Sequence, residues 1–195
     1  MHPGTRLGTK LGRVIQDVNN MPKGSKVVIF SAYYRTLTLL KDALVRKYNN
    51  DTVAFVGGSD TAKDLTTELA RFRHTPQCAV LLLDVRMCAN GLTLTAADHC
   101  FLIEPQEDEA TEVQLINRIY RIGQERPVVI KKYAMRGTIE ERRLTHRKSA
   151  GGLLNDETDQ MGAMATQTAD KGEDSAQVGI DLHRLRTLRF LAGLE

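Results

Sequence analysis

Apolar residues recur along this chain in two rhythms, and the alternation between them predicts the fold. Leu7, Leu11, Val14, Ile15 and Val18 return every three or four positions, the spacing of an amphipathic helix, and the pattern stops near Asn19 and Asn20 before Pro22 and Gly24. KVVIFS is then a continuous apolar run of strand length, followed by a second helical pattern through Leu37, Leu40 and Leu44. TVAFV is the next strand. It closes on Gly57 and Gly58, after which Ser59 is placed to cap a helix whose apolar side is Leu65, Leu69 and Phe72. AVLLLD, HCFLIE and PVVIKKY complete the set of strands.

Strands this short and this uniformly apolar are buried on both faces, and helices alternate with them. The fold class is therefore α/β: a doubly wound, mostly parallel sheet. Such sheets gather their binding loops at the carboxyl ends of the strands, where Ser31, Gly58 and Ser59, the stretch Asp84 to Thr95, and Glu104 to Asp108 are expected. Beyond the last strand, Thr138 and Glu141 have the T-x-x-E spacing of a capping box and open a helix through Arg142, Arg143, Arg147 and Lys148. Its basic end suits the negative pole of the helix dipole. From Ser149 to about Gly179 the chain turns to Gly, Ala, Thr, Gln and Asp, the composition of a disordered linker. Leu182, Leu185, Leu188 and Leu191 restore a helical spacing at the end. Four segments follow: an N-terminal helix packing on the domain (1–24), the domain (25–148), a flexible linker (149–179) and a C-terminal helix (180–195).

Composition adds limits. A chain of 195 residues, 42% hydrophobic, can bury one substantial core. No apolar run approaches the roughly 18 residues that span a bilayer, and MHPGTRLGTK lacks the apolar centre of a signal peptide, so cytosol or nucleus is expected, without a membrane partner. Cys78, Cys88 and Cys100 stand singly, with no CxxC pair and no metal-ligand spacing; reduced, buried thiols and no metal site are expected. The formal charge of +3 is uneven: residues 1–149 carry 23 basic and 16 acidic side chains, the remainder four and eight. A basic domain of this kind is compatible with a phosphate backbone, as are many that bind none.

The stretch richest in chemistry is QLINRIYRIGQ, Gln114 to Gln124, preceded by the acidic EDEATEV. Read as one helix at about 100° per residue, it places Gln114, Arg118 and Arg121 within an arc of roughly 60°. Val113, Leu115, Ile116, Ile119 and Tyr120 fill the other half, Gly123 is expected to end the helix, and Pro127 to open the next strand. Two guanidiniums and an amide side by side suit an oxyanion, because arginine offers planar paired donors to phosphate, and the pair is expected at the carboxyl rim of the sheet, aimed outward.

This string resembles motif VI of superfamily two helicases in the form used by Swi/Snf-type DNA-translocating ATPases. KVVIFSAYYRTLTLL is similar to their motif IV, VGGSDTAKDLTTELARF to the motif after it, and DVRMCANGLTLTAADHCFLIEP to motif V through Arg86, Gly91, Leu92, Leu94, Thr95 and Asp98. The terminal LHRLRTLRFLAGL resembles a brace segment, while the main resemblance covers about residues 9 to 147. It departs at Cys88 and Ala89, which replace paired glycines, at Leu65, where a basic residue is common, at Thr93 for an Asn, and at Tyr120 for a His. Asp108 and Glu109 stand where the family has Asn-Pro.

The resemblance implies the C-terminal RecA-like lobe of a DNA-dependent ATPase, nuclear, acting on double-stranded DNA or chromatin in remodelling or repair. Arg118 and Arg121 would be arginine fingers on the γ-phosphate of ATP, with Gln114 positioning them or the attacking water. Gly91 would join them at the nucleotide, and Ser31, Gly58, Ser59, Arg86 and Thr95 would meet DNA. ATP and Mg2+ would be held mainly by a first RecA-like lobe, since this sequence has no GxxxxGK[ST] and no DEAH-like string. Alone it would be half an active site and inactive. The alternative is a truncated or degenerate, non-catalytic module that binds DNA or protein; a doubly wound enzyme with a complete site of its own lacks any nucleophile–base pair or dinucleotide fingerprint here.

Overall fold

The computed structural model describes residues 7–58, 60–150 and 175–181. Its strands arise from the apolar runs: β1 (Val27–Ser31), β2 (Val53–Val56), β3 (Val80–Asp84), β4 (His99–Leu102) and β5 (Val129–Met135). Helices α1 (Thr9–Asn19), α2 (Tyr34–Lys47), α3 (Ala62–His74), α4 (Glu109–Ile119) and α5 (Ile139–Ala150) alternate with them, and a 3₁₀ segment, Val85–Asn90, follows β3. β1 to β5 are parallel in the order β2-β3-β1-β4-β5, so β1 is central and the connection from β3 to β4 crosses over it. The α/β expectation holds.

Alternate strand positions feed two cores, because successive side chains point to opposite faces. On one face Val28, Phe30, Leu81, Leu83, Cys100 and Leu102 meet Leu65, Leu69 and Phe72 of α3, Leu94 of the crossover, and Leu115 and Ile119 of α4. On the other, Val27, Ile29, Leu82 and Phe101 meet Val14 of α1 and Leu37, Leu40 and Leu44 of α2. Each such side chain contributes about 1.5–3 kcal/mol when fully buried. All three cysteines are free and buried. Among the described residues no helix is long and apolar enough to cross a membrane.

Several local expectations are corrected. α4 stops at Ile119, so Gln114 and Arg118 are helical while Arg121 lies in the turn beyond. In a continued helix the carbonyls of Arg118 and Ile119 would accept from residues 122 and 123. Instead Leu94 N–H bonds to the first at 2.8 Å and Gln124 Nε2 lies 3.4 Å from the second, while Gly123 turns at φ 98°. A tertiary partner, Leu94, takes the carbonyl that the next helical turn would use. α3 is capped by Thr61 in a reciprocal box with Asp64, two residues past Ser59, which lies outside the described residues. At α5 the Thr138 hydroxyl accepts from Glu140 N–H, and the Glu141 carboxylate accepts from Gly137 N–H instead of closing a box on Thr138.

β6 (Ser175–Asp181) pairs antiparallel with β5, inside the stretches expected as linker and terminal helix. An edge strand offers a row of backbone donors and acceptors to any extended partner, which hydrophobic periodicity does not register. Residues 151–174 and 182–195, with the rest of the expected linker and helix, lie outside the described residues, as do the side chains of Arg147 and Lys148.

The largest correction concerns the rim. A helix between parallel strands starts where one strand ends and finishes where the next begins. α4 therefore carries Arg118 and Arg121 toward the amino ends of β4 and β5, away from the carboxyl rim of Ser31, Gly58 and Asp84. Thr95 lies on the same side, because the loop after the 3₁₀ segment descends across the sheet to reach β4.

Candidate functional site

The carboxyl rim is built on β1 and β3. Ser31 ends β1 fully buried, and its hydroxyl donates to Glu104 Oε1 at 2.9 Å. The side chain faces inward, so the expected DNA contact from Ser31 does not fit: a parallel central strand buries its last residue as well. Burial pushes the Glu104 carboxyl above its ordinary range, partly offset by Ser31 and Lys10. Tyr33 and Tyr34 are exposed beside it. Gly58 follows β2 at φ 70°, where a Cβ would come within 2.8 Å of the Tyr34 ring, so both conformation and space require glycine.

Asp84, ending β3, is 1% exposed and receives both Nε and Nη2 of Arg86, the latter at 2.6 Å, together with the Arg86 N–H. Burial alone would raise its carboxyl; the Arg86 bonds and the Gly58 N–H outweigh that and hold it below the usual carboxylate value.

The second cluster lies where the descending loop meets the end of α4. Gly91 takes φ 68°, and the Arg118 Nη1 stands 4.0 Å from where a Cβ would be. Arg118 Nε is buried with no hydrogen-bond partner among the described residues. The Arg121 Nη1 donates to the Thr93 hydroxyl at 3.0 Å. Among the described residues neither guanidinium is paired with a carboxylate. Gln114 is exposed one turn earlier on α4.

Gln124 joins the parts. Its Nε2 donates to Thr95 O at 3.1 Å and Ala97 O at 2.6 Å, and its Oε1 accepts from Arg126 N–H. Arg126 Nη2 takes the carbonyl between them, Ala96 O, at 2.7 Å, and Nη1 pairs with Asp98 at 2.9 Å. Three consecutive loop carbonyls outside any ladder are thus satisfied by two side chains.

Residues 9–123 match the family described as "Helicase conserved C-terminal domain". The chain belongs to that family. Within it this is a RecA-like lobe of the Swi/Snf type. Over 139 residues the lobe is 34% identical to "DNA repair protein rad8" of Schizosaccharomyces pombe, covering 71% of this chain and 12% of that protein. Over 138 residues it is 33% identical to "E3 ubiquitin-protein ligase SHPRH" of Homo sapiens, covering 71% and 8%. The solved Sulfolobus solfataricus SWI2/SNF2 ATPase core domain superposes with a TM-score of 0.59 at 25% identity, over 75% of this chain and 29% of that one. The chain spans about a tenth of the length of these curated relatives.

The helicase lobe brings Gly91, Arg118, Arg121 and the loop bearing Thr95 together and leaves Ser31, Gly58 and Arg86 at the other rim. One departure from the family pattern, Cys88, is accommodated in the core. The Cys88 sulfur packs into the core, 3.8 Å from Asp84 O, so the side chain faces away from the loop surface, and that burial pushes its thiol up to about 12. Sequence reasoning assigned no role to Gln124, Arg126, Asp84 or Thr93. Gln124 ends the RIGQ string, but a side chain that binds loop carbonyls leaves no signal in periodicity.

Proposed function

We propose that this lobe is the second half of a Swi/Snf-type ATP-dependent DNA translocase, working in the nucleus on duplex DNA or chromatin. A first lobe holds ATP with Mg2+, whose γ-phosphoryl transfer to water supplies the energy. The observation that carries the reading is the state of Arg118. Its guanidinium is half withdrawn from water, aimed along the glycine of the crossing loop, and without an anion among the described residues. A cation already partly desolvated and not yet neutralised is a preorganised partner for a developing oxyanion. Arg121 is steadied by a neutral hydroxyl, which fixes its direction and leaves its charge available. Gln114 stands one turn before Arg118 on α4 to orient the pair or the attacking water.

Placement toward the amino ends of β4 and β5 makes the finger face a side of the sheet, so the first lobe would close over the seam between α4 and the loop Gly91–Ala97. On the DNA side, Gly58 turns tightly against Tyr34 and Arg86 presents an exposed guanidinium at the carboxyl rim, and Thr95 lies on the loop tied to the fingers. The basic excess of residues 1–149 and kinship with a DNA repair protein support a phosphate-backbone partner.

The test is Arg118→Ala or Arg121→Ala in a protein that joins this lobe to its first lobe. DNA-stimulated ATP hydrolysis should fall by roughly 10³–10⁵, the worth of an arginine finger, with DNA affinity little changed. Unchanged turnover in both variants rejects the finger assignment. A wild-type two-lobe protein that binds DNA and hydrolyses nothing supports a non-catalytic module instead.

A further inference from the structure

Arg86 is an exposed cation on the carboxyl rim, and its guanidinium is already engaged. Its Nε lies 3.0 and 3.2 Å from the two Asp84 oxygens and its Nη2 lies 2.6 Å from one of them, so the edge that would fork onto a phosphate is occupied by a carboxylate. The two partners differ sharply in exposure, 67% for the Arg86 side chain and 1% for Asp84. Asp84 is fixed from the main chain as well, by the N–H groups of Arg86 and Gly58. It cannot follow the arginine outward.

We propose that Asp84 masks Arg86, and thereby sets how strongly the carboxyl rim holds a phosphodiester of duplex DNA. A phosphate that drew the Nε–Nη2 edge away would leave a buried carboxylate without its partner, and an unpaired buried charge is among the costliest defects a protein can carry. The phosphate is left with the Nη1 side of a guanidinium whose charge is offset at close range. The rim therefore contributes a weak, easily released grip, and a chain with a neutral residue at position 84 grips harder. This rests on the reading of DNA as partner.

The test uses the full chain, wild type and Asp84→Asn, with binding to a short fluorescein-labelled DNA duplex followed by anisotropy across a salt titration. Asp84→Asn keeps an oxygen for the Gly58 and Arg86 N–H groups; Asp84→Ser is a second variant, and thermal melts confirm that each is folded. Affinity should rise severalfold at about 50 mM salt, with a log–log salt slope steeper by about 0.9, the release of roughly one more counterion. Adding Arg86→Ala to Asp84→Asn should return affinity to the wild-type level. If neither neutral variant binds more tightly than wild type, or if the gain survives loss of Arg86, the masking proposal is overturned while DNA binding stands. If neither wild type nor variant binds duplex at about 50 mM salt, the DNA reading fails, and the proposal with it.

Discussion

Gln124→Ala is the perturbation that most directly probes how the fold builds the finger seam. The side chain supplies donors to Thr95 O at 3.1 Å and Ala97 O at 2.6 Å, and an acceptor for Arg126 N–H at 3.1 Å. Its approach to Ile119 O at 3.4 Å adds little, since an amide nitrogen has two hydrogens and both are committed. A net neutral hydrogen bond is worth about 0.5–1.5 kcal/mol, and three of them suggest a loss of about 3 kcal/mol. Ala97 is fully buried, so its carbonyl has no ready replacement; Thr95 and Arg126 are more open and water recovers part of their share. The expected cost is therefore about 2–3 kcal/mol, read as a lowered urea midpoint at unchanged slope. The loss should be local first. Hydrogen exchange should quicken at Leu94, whose N–H is held by Arg118 O across the same seam. A change below about 0.5 kcal/mol, with Leu94 exchange unaltered, would refute the view that Gln124 locks the loop to the end of α4.

Other consequences are as direct. Asp17 is 4% exposed and receives Tyr133 Oη at 2.7 Å and Lys131 Nζ at 2.9 Å, joining α1 to β5; Asp17→Ala strands both and should cost about 3–5 kcal/mol in thermal or urea unfolding. Tyr133→Phe should cost less than Asp17→Ala in the same assay, because Asp17 keeps Lys131. Burial raises the folded Glu104 carboxyl above its ordinary 4.5, so its charged form disfavours folding once pH rises through that window. Glu104→Gln should accordingly be more favourable to stability at about pH 7 than at about pH 4; the reverse order would show the carboxylate to be a net stabiliser. The Tyr120 hydroxyl is buried with no partner among the described residues. Tyr120→Phe should leave stability unchanged or raise it by up to about 1 kcal/mol, and a clear loss in urea unfolding would reveal a water or ion at that oxygen.

Arrangement of the strands and helices was legible from apolar spacing, because burial on both faces of a parallel sheet demands uninterrupted Val, Ile and Leu, and covering helices demand a one-sided stripe. The Swi/Snf kinship was legible too, in strings such as RIGQ and GLTLTAAD, which carry backbone turns and charges at fixed separations. What the string could not convey was direction and partner. Arg121 shares a helical face with Arg118 in projection, yet α4 ends at Ile119, where the Leu94 N–H claims the Arg118 carbonyl that a longer helix would need. Ser31 lies at a strand end, where general rules place ligands, but Glu104 turns its hydroxyl inward. Arg86 is expected from the resemblance to meet DNA, and only the folded chain sets a buried carboxylate against it. Local spacing is a property of neighbours along the chain; the end of a helix and the facing of a hydroxyl depend on residues brought together from far along the chain by the crossovers of the sheet, and the freedom of the Arg86 charge depends on the burial that the sheet imposes on its near neighbour Asp84.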